Sequence, residues 1–420
     1  MGNKAIRNGA LFSLFSFVNK GFSFVLLMVM ANLMSPAEYG YLNLFNTIIM
    51  IVGVFIALST EGYLSVAFFQ EGETGTKKTF SVIFCVSLSM AVFLTGCIFF
   101  SNGIMSSVLD LPNNLLILAV IICFFVVFNN ILLDFYRIRE KIKIYGYMSC
   151  GCALMNLVLS ITFIKVFQFG WPGRAYAQFV CMLLFGGFGI FYFLWNRFFA
   201  FDISSYYRQV LIWSIPLIPH AATTFIRQGC DRYIINYYHS ISDVGLFSFA
   251  LTLVNVITMI GFGFNQSNSV DIYKTLADDN INNGKKMDKL SKQRRLFIGI
   301  YIATTLLAVI VGALGVPLVM PKYDGAIMYF LILSVYGFGV CVYLLYTNYL
   351  FYYKKTKQIM YITFGTAICH LILSLFLTKF GLVYTAILYG VMQMIIVSLI
   401  RHFALKTIDQ ELRFKCICRR

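Results

Sequence analysis

The feature that most constrains this chain is its rhythm of long apolar runs, each about 20 residues, separated by short polar breaks. Wound as a helix, a run of that length matches the ~30 Å hydrocarbon core of a bilayer. Lipid offers the backbone no hydrogen-bond partner, so such runs must close their N–H and C=O groups internally, as helices. Twelve are expected: 9–34, 41–68, 79–101, 114–135, 146–167 and 174–195, then 209–236, 244–270, 296–317, 325–350, 358–379 and 383–400. Over 420 residues the chain is 60% hydrophobic and only 12% charged, a balance foreign to soluble domains. The expected fold class is an all-α integral membrane protein of twelve transmembrane helices. The run after residues 1–8 is too long for a signal-peptide core and has no small-residue cleavage site, so no cleavable signal is expected.

The basic residues are sorted. Of 33 Lys and Arg, 26 fall in one set of connections: 1–8, 69–78, 136–145, 196–208, 271–295, 351–357 and 401–420. The opposite set holds one, Lys322. Lys and Arg concentrate on the cytoplasmic side, so both termini are expected there. This asymmetry supplies most of the net charge of +16. With no basic soluble face, nucleic acid is not an expected partner. The opposite connections are too short to house an enzyme domain. No phosphate loop, HExxH or Ser/His/Asp grouping is found, so a transporter rather than an enzyme is expected. The eleven cysteines lie mostly in apolar runs, and the spacings Cys150/Cys152 and Cys416/Cys418 are too close for zinc. Neither disulfide, metal nor cofactor is expected. The polar stretch 271–295 reads as a solvated or surface-lying amphipathic helix near anionic lipid.

The chain repeats itself. A shift of 205 lays Ser35-Pro36-Ala37-Glu38-Tyr39-Gly40 over Ser240-Ile241-Ser242-Asp243-Val244-Gly245, and puts Glu61 on Gln266. A shift of 214 puts Asn156 and Ser160 on His370 and Ser374. Six crossings per half is an even number, so the halves are parallel copies. They are expected at 1–198 and 199–420, the second carrying cytoplasmic loop 271–295 and cytoplasmic tail 401–420. In folds of this kind the site lies at the repeat interface, near mid-bilayer.

The most telling run is Trp213–Arg232, WSIPLIPHAATTFIRQGCDR. On a continuous helix Pro216, His220, Thr224, Arg227 and Asp231 share one face. Charge inside a membrane segment is costly unless it faces protein or water. Pro216 and Pro219 each remove a backbone donor and bend or break the helix, so they are candidate hinges. Asp231 and Arg232 are expected at the outer interface. In the first run Ser13, Ser16, Lys20 and Ser23 form a second stripe, with Asn19 beside it; Lys20 is near mid-depth, with Glu61 as a possible ion-pair partner. The eighth run adds Asn255, Thr258, Asn265 and Ser269, with Gln266 adjacent. Arg174 opens the sixth run and reads as a membrane-edge residue. Cations outnumber acids among these groups, which suits an anionic, hydroxyl-rich passenger such as a phosphate or pyrophosphate bearing sugar.

The opening GALFSLFSFVNKGFSFVLLMVMANLMSPAEYGYLNLFNTI, with Asn19-Lys20 and the Ser35–Gly40 turn, resembles the Wzx-type oligosaccharide flippases of bacteria. So does IPLIPH…DRYIINYY…VGLFSFA in the seventh and eighth runs. The resemblance implies the fold of the multidrug/oligosaccharidyl-lipid/polysaccharide flippase superfamily: two six-helix lobes forming a V around a central cavity. It implies a passenger too, oligosaccharide repeat units on undecaprenyl pyrophosphate, moved to the outer leaflet of the bacterial inner membrane for O-antigen or capsule. Lys20 and Arg227 match that family's cationic cavity residues. Asn19, Glu61, His220, Thr224, Asp231, Arg232, Asn255 and Gln266 complete the candidate substrate-binding set. Proton or sodium coupling, or passage down a gradient, would drive alternating access. Membrane lipid and other polysaccharide-assembly membrane proteins are the expected partners. The competing reading is a cation-coupled multidrug exporter of the same superfamily, which would want an acidic cavity; a membrane glycan polymerase or ligase would need larger outer loops.

Overall fold

Backbone that must satisfy itself inside lipid has little choice but helix, and helix is what forms. The computed structural model describes residues 28–200, 204–278, 280–353 and 355–417, with Phe15, Val18, Asn19, Gly21, Phe22, Val25 and Leu26 from the first run. Among the described residues there is no strand, and eleven helices are long and apolar enough to cross a membrane. These correspond to the second through twelfth expected runs. The first, 9–34, lies largely outside the described residues. The chain packs as two compact units, Met1–Tyr233 and Ile234–Arg420.

The first unit contains α1 (Pro36–Ala57), α2 (Tyr63–Phe100), α3 (Asn113–Ile138), α4 (Ile142–Ile161) and α5 (Trp171–Trp195). α1 starts on a capping box: the Glu38 N–H donates to Ser35 Oγ, and the Ser35 N–H donates to the Glu38 carboxylate at 2.9 Å. It stops at Ala57 because Leu58 and Ser59 adopt left-handed backbone, φ 45° and 57°. A 3₁₀ turn, Thr60–Gly62, follows. Expected connection 69–78 is helical instead, since α2 runs through it with one break at Gly72, φ 65°. Packing is closest where α5 crosses α3. A Cβ on Gly186 would overlap the Phe125 carbonyl, and one on Gly189 would lie 2.7 Å from the Phe128 carbonyl. Phe80 stacks on Phe193 at 4.5 Å beside this crossing.

The seventh run is a chain of short pieces: α6 (Ser204–Ser214), a 3₁₀ turn Ile215–Leu217, α7 (Ile218–Thr224), a π turn Phe225–Gly229, and α8 (Cys230–Tyr238). The two prolines break it as expected, Pro216 inside the 3₁₀ turn and Pro219 in the first turn of α7.

The second unit holds α9 (Ile241–Ala277), α10 (Asn283–Val319), α11 (Ala326–Tyr352), α12 (Thr356–Leu377) and α13 (Leu382–Ile417). α9 opens on the same device as α1, with Ser240 and Asp243 bonding reciprocally at 3.2 Å. The stretch 271–295 is mostly helical, and Lys274, Lys285, Lys289, Lys292 and Arg295 on it are exposed. α9 continues to Ala277 and α10 resumes at Asn283, which makes a helical hairpin. Lys286, 1% exposed, holds it closed by donating to the Leu276 carbonyl at 3.1 Å, where α9 runs out of internal partners. The expected tail 401–420 likewise begins as a continuation of α13.

Candidate functional site

The π turn undoes the single polar face. Between residues 225 and 229 the helix carries i→i+5 bonds, so residues beyond it are rotated relative to those before it. Pro216 and Thr224 are exposed, Arg227 is half-buried on the π turn, and Asp231 is fully buried. Those four positions therefore do not share one environment. His220 lies in the helical backbone of α7, and its side chain is outside the described residues.

Beyond the π turn the segment is tied to α1. Arg232 Nη1 donates to Thr47 Oγ1 at 2.9 Å, and the Tyr233 hydroxyl donates to the Leu44 carbonyl at 3.4 Å. Gly229 permits this approach: a Cβ there would sit 2.9 Å from Thr47 Cγ2. Thr47 is eleven residues into α1, about 16 Å from its start. After the inserted π residue Asp231 is buried and Arg232 points to α1. At the opposite end the segment is tied to α2. Gln209 donates to the Tyr63 hydroxyl at 2.7 Å, the Thr79 hydroxyl donates to the Tyr206 oxygen at 3.3 Å, and Tyr206 donates to Glu71 at 3.3 Å. Between these ties lies the proline-broken stretch, where Ile215 is 52% exposed.

Glu61 occupies the 3₁₀ turn after α1, not the body of a helix. Asn130 and Asp134 stand near its carboxylate, and Asp134 is paired with Arg137 at 2.8 Å. Glu61 Oε2 is buried without a hydrogen-bond partner among the described residues. Its repeat counterpart Gln266 lies inside uninterrupted α9, with its side chain outside the described residues. Lys20 and any pairing with Glu61 also lie outside the described residues; Asn19 is half-buried. Thr47 and the end of α1 are ten residues, or about 15 Å, apart, so the Arg232 and Glu61 clusters are separate.

Arg174 is more than an edge marker. It is one turn into α5, whose first residue Trp171 stacks on Tyr41 of α1 at 5.7 Å. Its Nη1 is buried without a hydrogen-bond partner among the described residues.

In the second unit Asn255 is exposed, and the polar groups of α9 bond across helices. Asn348 of α11 donates to Asn265 at 2.8 Å, and Gln293 of α10 donates to Asn268 at 2.8 Å. Arg294 lies over the Tyr349 ring at 5.8 Å. Sequence reasoning missed Asn348, Gln293 and Arg294. Asn348 was legible as a lone amide in an apolar run, whereas Gln293 and Arg294 were hidden by assignment to a loop.

The fold is similar to that of solved membrane transporters. A multidrug resistance MATE family transporter of the MOP superfamily, in its inward-facing conformation, superposes with a TM-score of 0.72 at 14% identity, over 94% of this chain and 95% of that one. A MOP superfamily transporter from Pyrococcus furiosus, described as having a binding pocket of reverse polarity that suggests a different function, gives 0.64 at 14% identity over 98% and 96%. In sequence, the Lsg locus protein 1 of Haemophilus influenzae is 20% identical over 366 residues, 85% of this chain and 87% of its own. The chain belongs to the polysaccharide biosynthesis protein family, whose model matches residues 5–270.

Proposed function

We propose that this protein is a flippase. Its passenger is an oligosaccharide repeat unit on undecaprenyl pyrophosphate, moved from the cytoplasmic to the outer leaflet of a bacterial inner membrane for O-antigen or capsule assembly. One observation carries the reading: a chain of the polysaccharide biosynthesis family has the fold of a transporter superfamily. Charge in the first unit supports it. Arg227, Arg232 and Arg174 lie in or near the half of the unit that Asp231 shares, and a cation in a low-dielectric setting attracts pyrophosphate strongly. Both termini are cytoplasmic on this reading, because the basic connections share one side. The break at Ile215–Leu217 is the flexing point of the cycle, and protons or sodium are its coupling ions.

The MATE neighbours favour a second reading, export of drugs against an ion gradient. Deleting the gene separates the two. The flippase reading expects lipid-linked glycan to accumulate on the cytoplasmic leaflet and surface glycan to fall. Unchanged glycan with raised susceptibility to cationic drugs would establish the exporter. Lys20→Ala and Arg227→Ala should each lower surface glycan while membrane insertion stays intact. Wild-type glycan in both removes them from the pathway.

A further inference from the structure

One face of α13 changes character without interruption. Ile387, Val391, Met394 and Ser398 follow at steps of three or four and so share a stripe. With Ile332 and Val335 of α11 opposite, they line an apolar groove of ≈ 600 Å³. Ser398 also lines a second pocket of ≈ 550 Å³, with Arg401, His402, Lys406 and Asp409. The two meet at Ser398, so an apolar groove adjoins a basic one along a single helix. Ile387, Val391 and Met394 are 45%, 50% and 39% exposed, so the groove opens to lipid. Arg401 and Lys406 are exposed and make no ion pair among the described residues. Asp409 has a contact of its own, and His402 lies edge-on to Phe403 at 5.6 Å.

The dimensions select the occupant. From Ile387 to Leu399 is twelve residues, a rise of about 18 Å, close to the depth of one hydrocarbon leaflet. Arg401 and Lys406 come next along the helix. A greasy slot one leaflet long, capped by two cations, is complementary to one acyl chain and the phosphate above it. We infer that this groove binds an anionic phospholipid from the leaflet on the C-terminal side of α13, with its chain between α13 and α11 and its phosphate between Arg401 and Lys406. A polyprenyl chain is longer than the groove and would overrun it. The inference stands whichever passenger the protein carries.

The test is native mass spectrometry of the full chain in mild detergent, with phosphatidylglycerol or phosphatidylcholine of the same acyl chains. Phosphatidylglycerol should be retained preferentially, and Arg401→Gln and Lys406→Gln should each lower that preference about fivefold. Val391→Trp, which fills the slot at an exposed position, should lower retention of both lipids. Soluble glycerol phosphate should not displace the lipid. Equal retention of the two lipids, indifference to both charge variants, or displacement by glycerol phosphate overturns the assignment. Polyprenyl phosphate displacing phosphatidylglycerol at equal concentration would also overturn it, giving the groove to the prenyl carrier instead.

Discussion

α1 and α9 begin alike and end differently. Each starts on a serine whose hydroxyl and N–H bond reciprocally with an acid three residues on, Ser35 with Glu38 and Ser240 with Asp243. α1 then stops after 22 residues at two left-handed positions, while α9 runs for 37. The consequence is chemical. In the first unit the break carries Glu61 into a turn where one carboxylate oxygen has no hydrogen bond, and the seventh run is free to tie Arg232 to Thr47 halfway along α1. In the second unit the unbroken helix brings Asn265 and Asn268 against Asn348 and Gln293, so its polar groups brace helices. The two helices share a start and differ in where they end.

Three experiments sharpen or break that contrast. The largest effect is expected from Arg232→Ala, which removes a charge-assisted bond and unties α8 from α1. Thermal unfolding in detergent should show a loss of about 2 kcal/mol, with Thr47→Val losing about half as much. An unchanged midpoint would mean that the tie contributes nothing. Next, Ser35→Ala and Ser240→Ala should each cost about 1 kcal/mol and do so equally, since both remove the same N-cap bond. A clear inequality in unfolding midpoints would show that the two starts are alike in geometry only. The smallest effect is expected from Ser59→Gly, which relieves a left-handed residue at the break and should stabilise by at most about 1 kcal/mol. Destabilisation would mean that Ser59 contributes a contact that outweighs its backbone cost.

The legible part of this protein was whatever lipid enforces. Apolar runs of about 20 residues must be helices, so eleven crossings, the repeated start at Ser35 and Ser240, and the breaking power of Pro216 and Pro219 were all readable. Periodicity was a weaker guide to faces. It put Pro216, Thr224, Arg227 and Asp231 on one stripe because it assumed 3.6 residues per turn throughout, and a five-residue π turn has no sequence signature of its own. Within the basic stretch 271–295 one buried charge was not legible. The run of Lys and Arg after residue 271 reads as solvated, yet Lys286 is buried because a carbonyl at the end of α9 needs its proton.

The sequence by itself determined that this chain lives in a membrane as a repeated bundle of helices, because hydrocarbon forbids the alternatives. Where each helix stops, which way Arg232 and Asp231 face, and whether Glu61 lies in a helix or a turn were decided by tertiary packing alone. A bilayer penalises unpaired backbone at every position along a helix, but it is the neighbouring helix that determines which side chain can be partnered.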